Sequence, residues 1–238
     1  MLRPQYLLLL AFLATPSFAA PSPVAFAQWV PNGWKVIANN EGDLNGDGID
    51  DVVLVTEETN PAKFKKKPKD SLGPDILNLN PRRLIILLRS SSGLKEVLRR
   101  DDLLPSENTE GMDCLDDPLG NGGVSIARGN LVIELQDRRS CGSYGVVNEK
   151  FTFRSQGTRF QLIGYDRSES SRSTGERSEF STNYLTGKKK ITTGLNDFRD
   201  FKAKVSWKRL LSKRDFFLDE ISLDCYTADP AQKDNWCQ

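Results

Sequence analysis

Histidine is absent from all 238 residues of the chain. That one absence removes Ser-His-Asp triads, Cys-His dyads and the commonest zinc sites together, because each needs an imidazole to carry a proton or donate a lone pair. Cysteine is scarce as well, with four residues at 114, 141, 225 and 237 and no Cys-x-x-Cys pair. A zinc cluster therefore has no ligand spacing to stand on. Beyond the N-terminus, no apolar run approaches the roughly 20 residues that cross a bilayer as a helix. Net charge is also missing: Lys and Arg number 33 against 32 Asp and Glu, which argues against a dedicated nucleic-acid protein. Catalysis is left with paired carboxylates or a Ser-Lys arrangement, and no carboxylate pair stands out from ordinary surface charge. The chain is read as a non-enzymatic module, with a carboxylate-dependent hydrolase of a glycan or peptidoglycan as the alternative.

What is present begins with a secretory signal. Arg3 precedes an apolar core, Tyr6–Ala14, and Ser17-Phe18-Ala19 has the small-x-small pattern of a signal-peptidase site. Cleavage is expected after Ala19, with Ala27 as the second candidate, giving a periplasmic or secreted protein. Loss of Arg3 leaves a mature chain without net charge. Four cysteines in an exported chain read as two disulfides, and three pairings exist in principle. Cys114–Cys141 and Cys225–Cys237 are favoured because each closes a local loop.

The stretch that specifies a chemistry is Gly42-Asp43-Leu44-Asn45-Gly46-Asp47-Gly48-Ile49-Asp50-Asp51, followed at once by Val52-Val53-Leu54-Val55. Side-chain oxygens recur at Asp43, Asn45, Asp47 and Asp51, positions 1, 3, 5 and 9 of a tight loop, with Gly48 at position 6 where the backbone turns. Hard oxygen donors in this spacing point to Ca2+, whose shell of six to eight oxygens would be completed by the Ile49 carbonyl and water. An EF-hand needs a bidentate Glu at position 12, where Leu54 stands here. A loop leading into a strand is expected instead. The other reading is an Asx-rich turn without an ion, which leaves the charges of Asp43, Asp47, Asp50 and Asp51 crowded together.

Asp43 to Val55 resembles the calcium loop of FG-GAP repeats, the blades of integrin-type β-propellers. Arg83–Leu94 resembles the second strand and turn of such a repeat. The resemblance implies Asp43, Asn45, Asp47 and Asp51 as side-chain ligands and Ile49 as a carbonyl ligand. Downstream, Phe151–Phe153, Phe160–Tyr165 and Asn183–Lys188 follow an order similar to that of uncharacterised secreted bacterial proteins carrying one such loop, which implies no particular activity.

Turn residues then punctuate a series of β-formers. Leu84–Leu88 and Leu94–Leu98 flank Ser92-Gly93; Val124–Ala127 and Leu131–Leu135 flank Gly129-Asn130; Val146–Phe153 and Phe160–Tyr165 flank Gln156-Gly157; Phe180–Leu185 and Lys190–Thr193 flank Gly187. Four hairpins in a row predict an all-β domain, an antiparallel meander of short hairpins that is propeller-blade-like, a sandwich or an open barrel, with few short helices. Leu94–Leu104 and Thr193–Phe201 are the helical candidates. A single domain over residues 20–238 is expected, with a basic insertion near 60–82 and a disulfide-pinned C-terminal segment, 195–238. Ala203, Val205 and Trp207 alternate with lysines, and Phe216–Leu223 follows as a further strand.

Several segments carry two readings. Trp29 and Trp34 form either a lid on the core or a sugar-stacking platform. The lysines of 63–69 are a solvated loop or a grip for polyanions or anionic membranes. Asp113–Asp117 with Gly120–Gly123 is a disulfide-pinned loop or a second ion site, and polar Arg167–Arg177 is expected to be a mobile loop. The partner is expected to be an envelope protein or a glycan.

Overall fold

A computed structural model describes residues 23–112, 114–120, 123–210 and 215–223. The expected signal peptide and the Cys225–Cys237 pair lie outside these residues. The described residues are all-β, with thirteen strands in antiparallel sheets, none closed into a barrel, and 3₁₀ turns as the only regular helical segments.

The continuous apolar run after the acidic loop explains the first sheet. Val52, Val53, Leu54 and Val55 point alternately to opposite faces, and all four are buried. Such a run requires cover on both sides. β2 (Asp51–Glu58) accordingly lies inside a four-stranded sheet of order β1 (Trp34–Gly42), β2, β5 (Arg82–Ser90), β6 (Gly93–Arg100). One face, with Val53, Val55, Leu84 and Ile86, joins the main core. The other face, with Val52, Leu54, Ile85 and Leu87, is covered by Phe26 of the 3₁₀ segment Pro23–Trp29. Trp29 packs against this second cluster, which fits the lid reading, while Trp34 lies under the Arg83 guanidinium at 4.1 Å.

The four expected hairpins are all present. β5–β6 belongs to the first sheet; the other three, with one further strand, form a second sheet of seven strands, β7 (Gly123–Ala127), β8 (Asn130–Arg138), β9 (Gly145–Gln156), β10 (Arg159–Ser171), β11 (Glu176–Asn183), β12 (Lys188–Asn196) and β13 (Lys204–Arg209), paired in chain order. The β7–β8 connection is two residues, Arg128 and Gly129, with φ of 53° and 72°. This is the positive-φ turn whose twist matches that of paired strands. Leu131, Ile133, Phe151, Phe153, Phe160 and Leu162 carry this sheet's contribution to the core. Leu218, Ile221 and Leu223 close the core from the tail.

Four expectations are corrected. Leu94–Leu104 is not a helix: its first part is β6, where Val97 is an extra residue between the Ile86–Leu98 and Leu87–Glu96 pairs. Thr193–Phe201 is not a helix either, because β12 continues to Asn196. Arg167–Arg177 is largely strand: β10 and β11 pair from Gly164–Asn183 out to Ser170–Arg177, leaving a short turn. Gly175 sits in that turn at φ 72°, where a Cβ would come within 2.7 Å of Phe198. Phe216–Leu223 pairs its backbone with the sheet only at the Gln161–Phe217 bridge and otherwise runs irregularly. The basic insertion near 60–82 is also structured, since β3 (Phe64–Lys66) pairs with β4 (Ile76–Asn78) as a small ribbon.

Candidate calcium loop

The loop between β1 and β2 is built from its own Asx side chains. Asp43 accepts hydrogen bonds from the Gly46 N–H at 2.6 Å and the Gly48 N–H at 2.9 Å. Gly46 and Gly48 hold φ of 81° and 83°, which folds the backbone over the carboxylate. Asn45 accepts from the Asp47 N–H at 2.9 Å and donates its amide to the Asp47 carboxylate at 3.0 Å; Asp47 accepts from the Ile49 N–H at 2.8 Å. The N–H of Gly48, followed by those of Gly46, Asp47 and Asn45, holds the Asp43 carboxyl below its ordinary value despite slight desolvation. It therefore stays ionised at neutral pH.

The loop is anchored at both ends. Leu44 is buried in the main core. Asp51 is fully buried and accepts from the Leu44 N–H at 2.9 Å and the Arg89 N–H at 2.8 Å. One carboxylate thus ties the loop start, β2 and the end of β5 together. Arg89 adds a bond from its guanidinium to the Asp50 carbonyl at 2.8 Å. Across from the loop lies the β7–β8 turn: a Cβ on Gly42 would come within 3.0 Å of Ile126, and one on Gly129 within 3.5 Å of the Asp43 carbonyl. A shallow depression lined by Asp43, Asn45, Arg128, Gly129, Arg154 and Ser155 separates the two.

Of the five expected ligands, Asn45 and Asp47 bond each other and Asp43 accepts the Gly46 and Gly48 amides at the exposed end, Ile49 follows them, and Asp51 sits at the buried base. Among the described residues, no three His, Cys, Asp or Glu side chains converge as a metal-holding group. The donor chemistry nevertheless suits calcium: every candidate ligand atom is an oxygen, and each carboxylate keeps lone pairs beyond those its amide bonds use. Arg89, Arg128 and Arg154 were not foreseen beside the loop. Nothing in local spacing could reveal them, because they arrive from β5, from the β7–β8 turn and from β9.

A second polar cluster lies beside the first sheet. Arg82, buried, donates to Glu57 at 3.1 Å and bidentately to Asp117 at 2.6 and 2.8 Å. Lys35 reaches Glu57 at 2.9 Å, and Asn78 bonds both Glu57 and Glu107. Burial pushes the carboxyls of Glu57 and Asp117 up, but hydrogen bonds outweigh it, from Lys35, Arg82 and Asn78 on Glu57 and chiefly from Arg82 on Asp117, and hold both below their ordinary values. A glycosidase acid needs the opposite shift; here the hydrogen bonds favour the charged carboxylates. Asp117, an acid of the alternative second ion site, is committed to Arg82. Its neighbour Cys114 is joined to Cys141 with a Cα separation of 5.5 Å.

No protein-family model, curated protein or solved structure matches this chain. The class defined by fold and covalent chemistry is an antiparallel β-protein of two main sheets and a two-stranded ribbon, with a disulfide. No helix among the described residues is long and apolar enough to cross a membrane.

Proposed function

We propose that the chain is an exported β-domain whose Asp43–Asp51 loop takes a calcium ion and that it serves as a binding or structural module of the cell envelope. The observation that supports this reading is the self-bonded loop, in which the side chains of Asp43, Asn45 and Asp47 accept the loop's own amides and a buried Asp51 anchors its base. Asp43, Asn45, Asp47 and Asp51 would hold the ion with side-chain oxygens and Ile49 with its carbonyl, as in an FG-GAP loop. Bound calcium would supply positive charge to a run of four acids. The chain's own residues do the rest: Leu44 and Asp51 fix the loop to the core, and Arg89 holds its last turn against β5. The Cys114–Cys141 disulfide supports an oxidising compartment.

The experiment is a thermal melt of the oxidised mature protein with calcium, with magnesium and after chelation. Extracellular calcium modules bind at about 10⁻⁴–10⁻³ M, so tenfold excess adds roughly 1.4 kcal/mol, or roughly 3–6 °C for a chain of this size. Asp47→Ala should abolish that increment while leaving the calcium-free melt nearly unchanged, because Asp47 is exposed and bonds only within the loop. Equal responses to both ions, or an unchanged calcium response in the variant, would overturn the assignment. Asp51→Ala is the wrong probe, since its two amide partners lose their acceptor whether or not calcium is present.

A further inference from the structure

Among the described residues, the seven-stranded sheet ends in an edge strand that is exposed on both faces. All six residues of β13 are exposed, including Val205 at 53% and Trp207 at 65%. On its inner side β13 pairs with β12 from Lys188–Arg209 to Thr193–Lys204. On its outer side no described strand follows. The Leu210 N–H bonds the Gly187 carbonyl, so by antiparallel alternation the N–H and C=O groups of Val205, Trp207 and Arg209 point outward from the ladder. An exposed strand edge of this length is a template for another strand.

Its charge states which strand. Between Lys188 and Arg209 there are eight basic residues and two acidic ones, in a chain that is otherwise balanced. Lys188 lies opposite Arg209 and Lys189 opposite Lys208. Like charges facing each other across a ladder are unfavourable. Lys188, Lys190, Lys204, Lys208 and Arg209 form no ion pair with any described residue. Lysines commonly blunt an edge against aggregation, but a purely protective edge has no use for an exposed Val205 and Trp207 between its cations. A second copy of this chain is refused, because two β13 strands would oppose three cations with three. An acidic segment is accepted: it relieves the like-charge pairs and covers the two apolar side chains.

We propose that β13 is the acceptor edge for an extended acidic segment of a partner protein, which adds to the sheet as an eighth strand. The segment needs about six residues, roughly 20 Å of strand, with acids opposite Lys204 and Lys208 on one face and apolar residues opposite Val205 and Trp207 on the other. This rests on the reading of the chain as a binding module, and it names the partner class. It shares no residue with the calcium loop.

The test uses the full mature chain and the peptide Glu-Val-Glu-Val-Glu-Val, in calcium and in chelator. Affinity is measured at low and at physiological salt, and backbone amide exchange is followed in parallel. The expected result is saturable binding with slowed exchange at residues 205, 207 and 209. Val205→Pro should weaken binding roughly fivefold, the loss of about one backbone hydrogen bond, with the melting temperature retained because the residue is solvent-exposed at an edge. Lys204→Glu/Lys208→Glu/Arg209→Glu should lose this peptide and gain Lys-Val-Lys-Val-Lys-Val. Absence of binding overturns the proposal. So does equal binding of an N-methylated acidic peptide, heparin or single-stranded DNA without protection of β13, because that result describes a general polyanion patch. The calcium melt is read separately, so failure of either idea leaves the other standing on its own measurement.

Discussion

The two ends of this molecule use the same secondary structure under opposite conditions. In the first sheet, β2 and β5 are covered on both faces, and Val52, Val53, Leu84, Ile85, Ile86 and Leu87 are fully buried. At the far end of the second sheet, β13 is uncovered on both faces and carries exposed Trp207. Both are regular antiparallel strands. Backbone pairing alone therefore does not distinguish a strand that holds the fold from one available to a partner; what lies above and below it does.

The sharpest way to probe that contrast is the buried ion network beside β2. Arg82→Ala leaves Glu57 buried without its guanidinium partner, and breaking such a pair costs about 3–5 kcal/mol. The carboxyls of Glu57 and Asp117 are held below their ordinary values. In the parent their contribution is complete above the ordinary carboxylate range and is lost as pH falls through the depressed values. In the variant, Glu57 keeps Lys35 and Asn78 but loses the guanidinium, so its carboxyl shifts upward relative to the parent. Urea titrations should thus show the gap between parent and variant narrowing as pH drops below about 4; a pH-independent gap would mean that Arg82 acts by packing alone.

Truncation compares the two ends directly. Ile86→Ala removes apolar volume from a position with no exposed surface and should cost about 2–5 kcal/mol. Trp207→Ala removes a larger side chain and should fall within about 0.5 kcal/mol. A comparable loss at both sites in denaturant would show that β13 is covered in solution, which would defeat both the comparison and the acceptor-edge proposal.

The disulfide gives an intermediate effect. Cys114 and Cys141 are 27 residues apart, and closing a loop of that size is worth about 2–4 kcal/mol. The double Cys114→Ser/Cys141→Ser variant should lose that much by chemical denaturation while leaving the calcium response of the Asp43–Asp51 loop in place.

Much of the fold was legible because turn chemistry and burial left separate marks. Gly93, Gly129, Gly157 and Gly187 each take positive φ, and each was found between β-formers, so all four hairpins could be placed. The run Val52–Val55 announced a strand covered on both sides. The false helix at Leu94 has a clear origin: the extra residue Val97 in β6 shifts the alternation, so that Leu94, Val97 and Leu98 recur at the spacing of a helical face. The Arg167–Arg177 stretch was hidden by its polarity. Its strands are stitched by charged neighbours, with Arg167 bonded to Glu149 at 3.1 Å and to Glu169 at 2.7 Å, and alternation of apolar and polar residues is uninformative where neither face meets a core. Val205 and Trp207 show the converse, since their alternation was real but there was no layer to bury it. At the candidate loop, the liganding pattern was readable residue by residue. The role of Asp51 as an acceptor for amides of Leu44 and Arg89 was not, because Arg89 lies 38 positions away.

The Cys114–Cys141 bond also bears on how the molecule would fare among proteases. It encloses the whole β7–β8 hairpin, including the exposed Arg128–Gly129 turn, a kind of site at which nicking concentrates. A cut there severs the polypeptide but frees neither fragment, because the flanking chains remain covalently joined and both strands keep their partners in the sheet. Damage at that turn is thus contained as a nick.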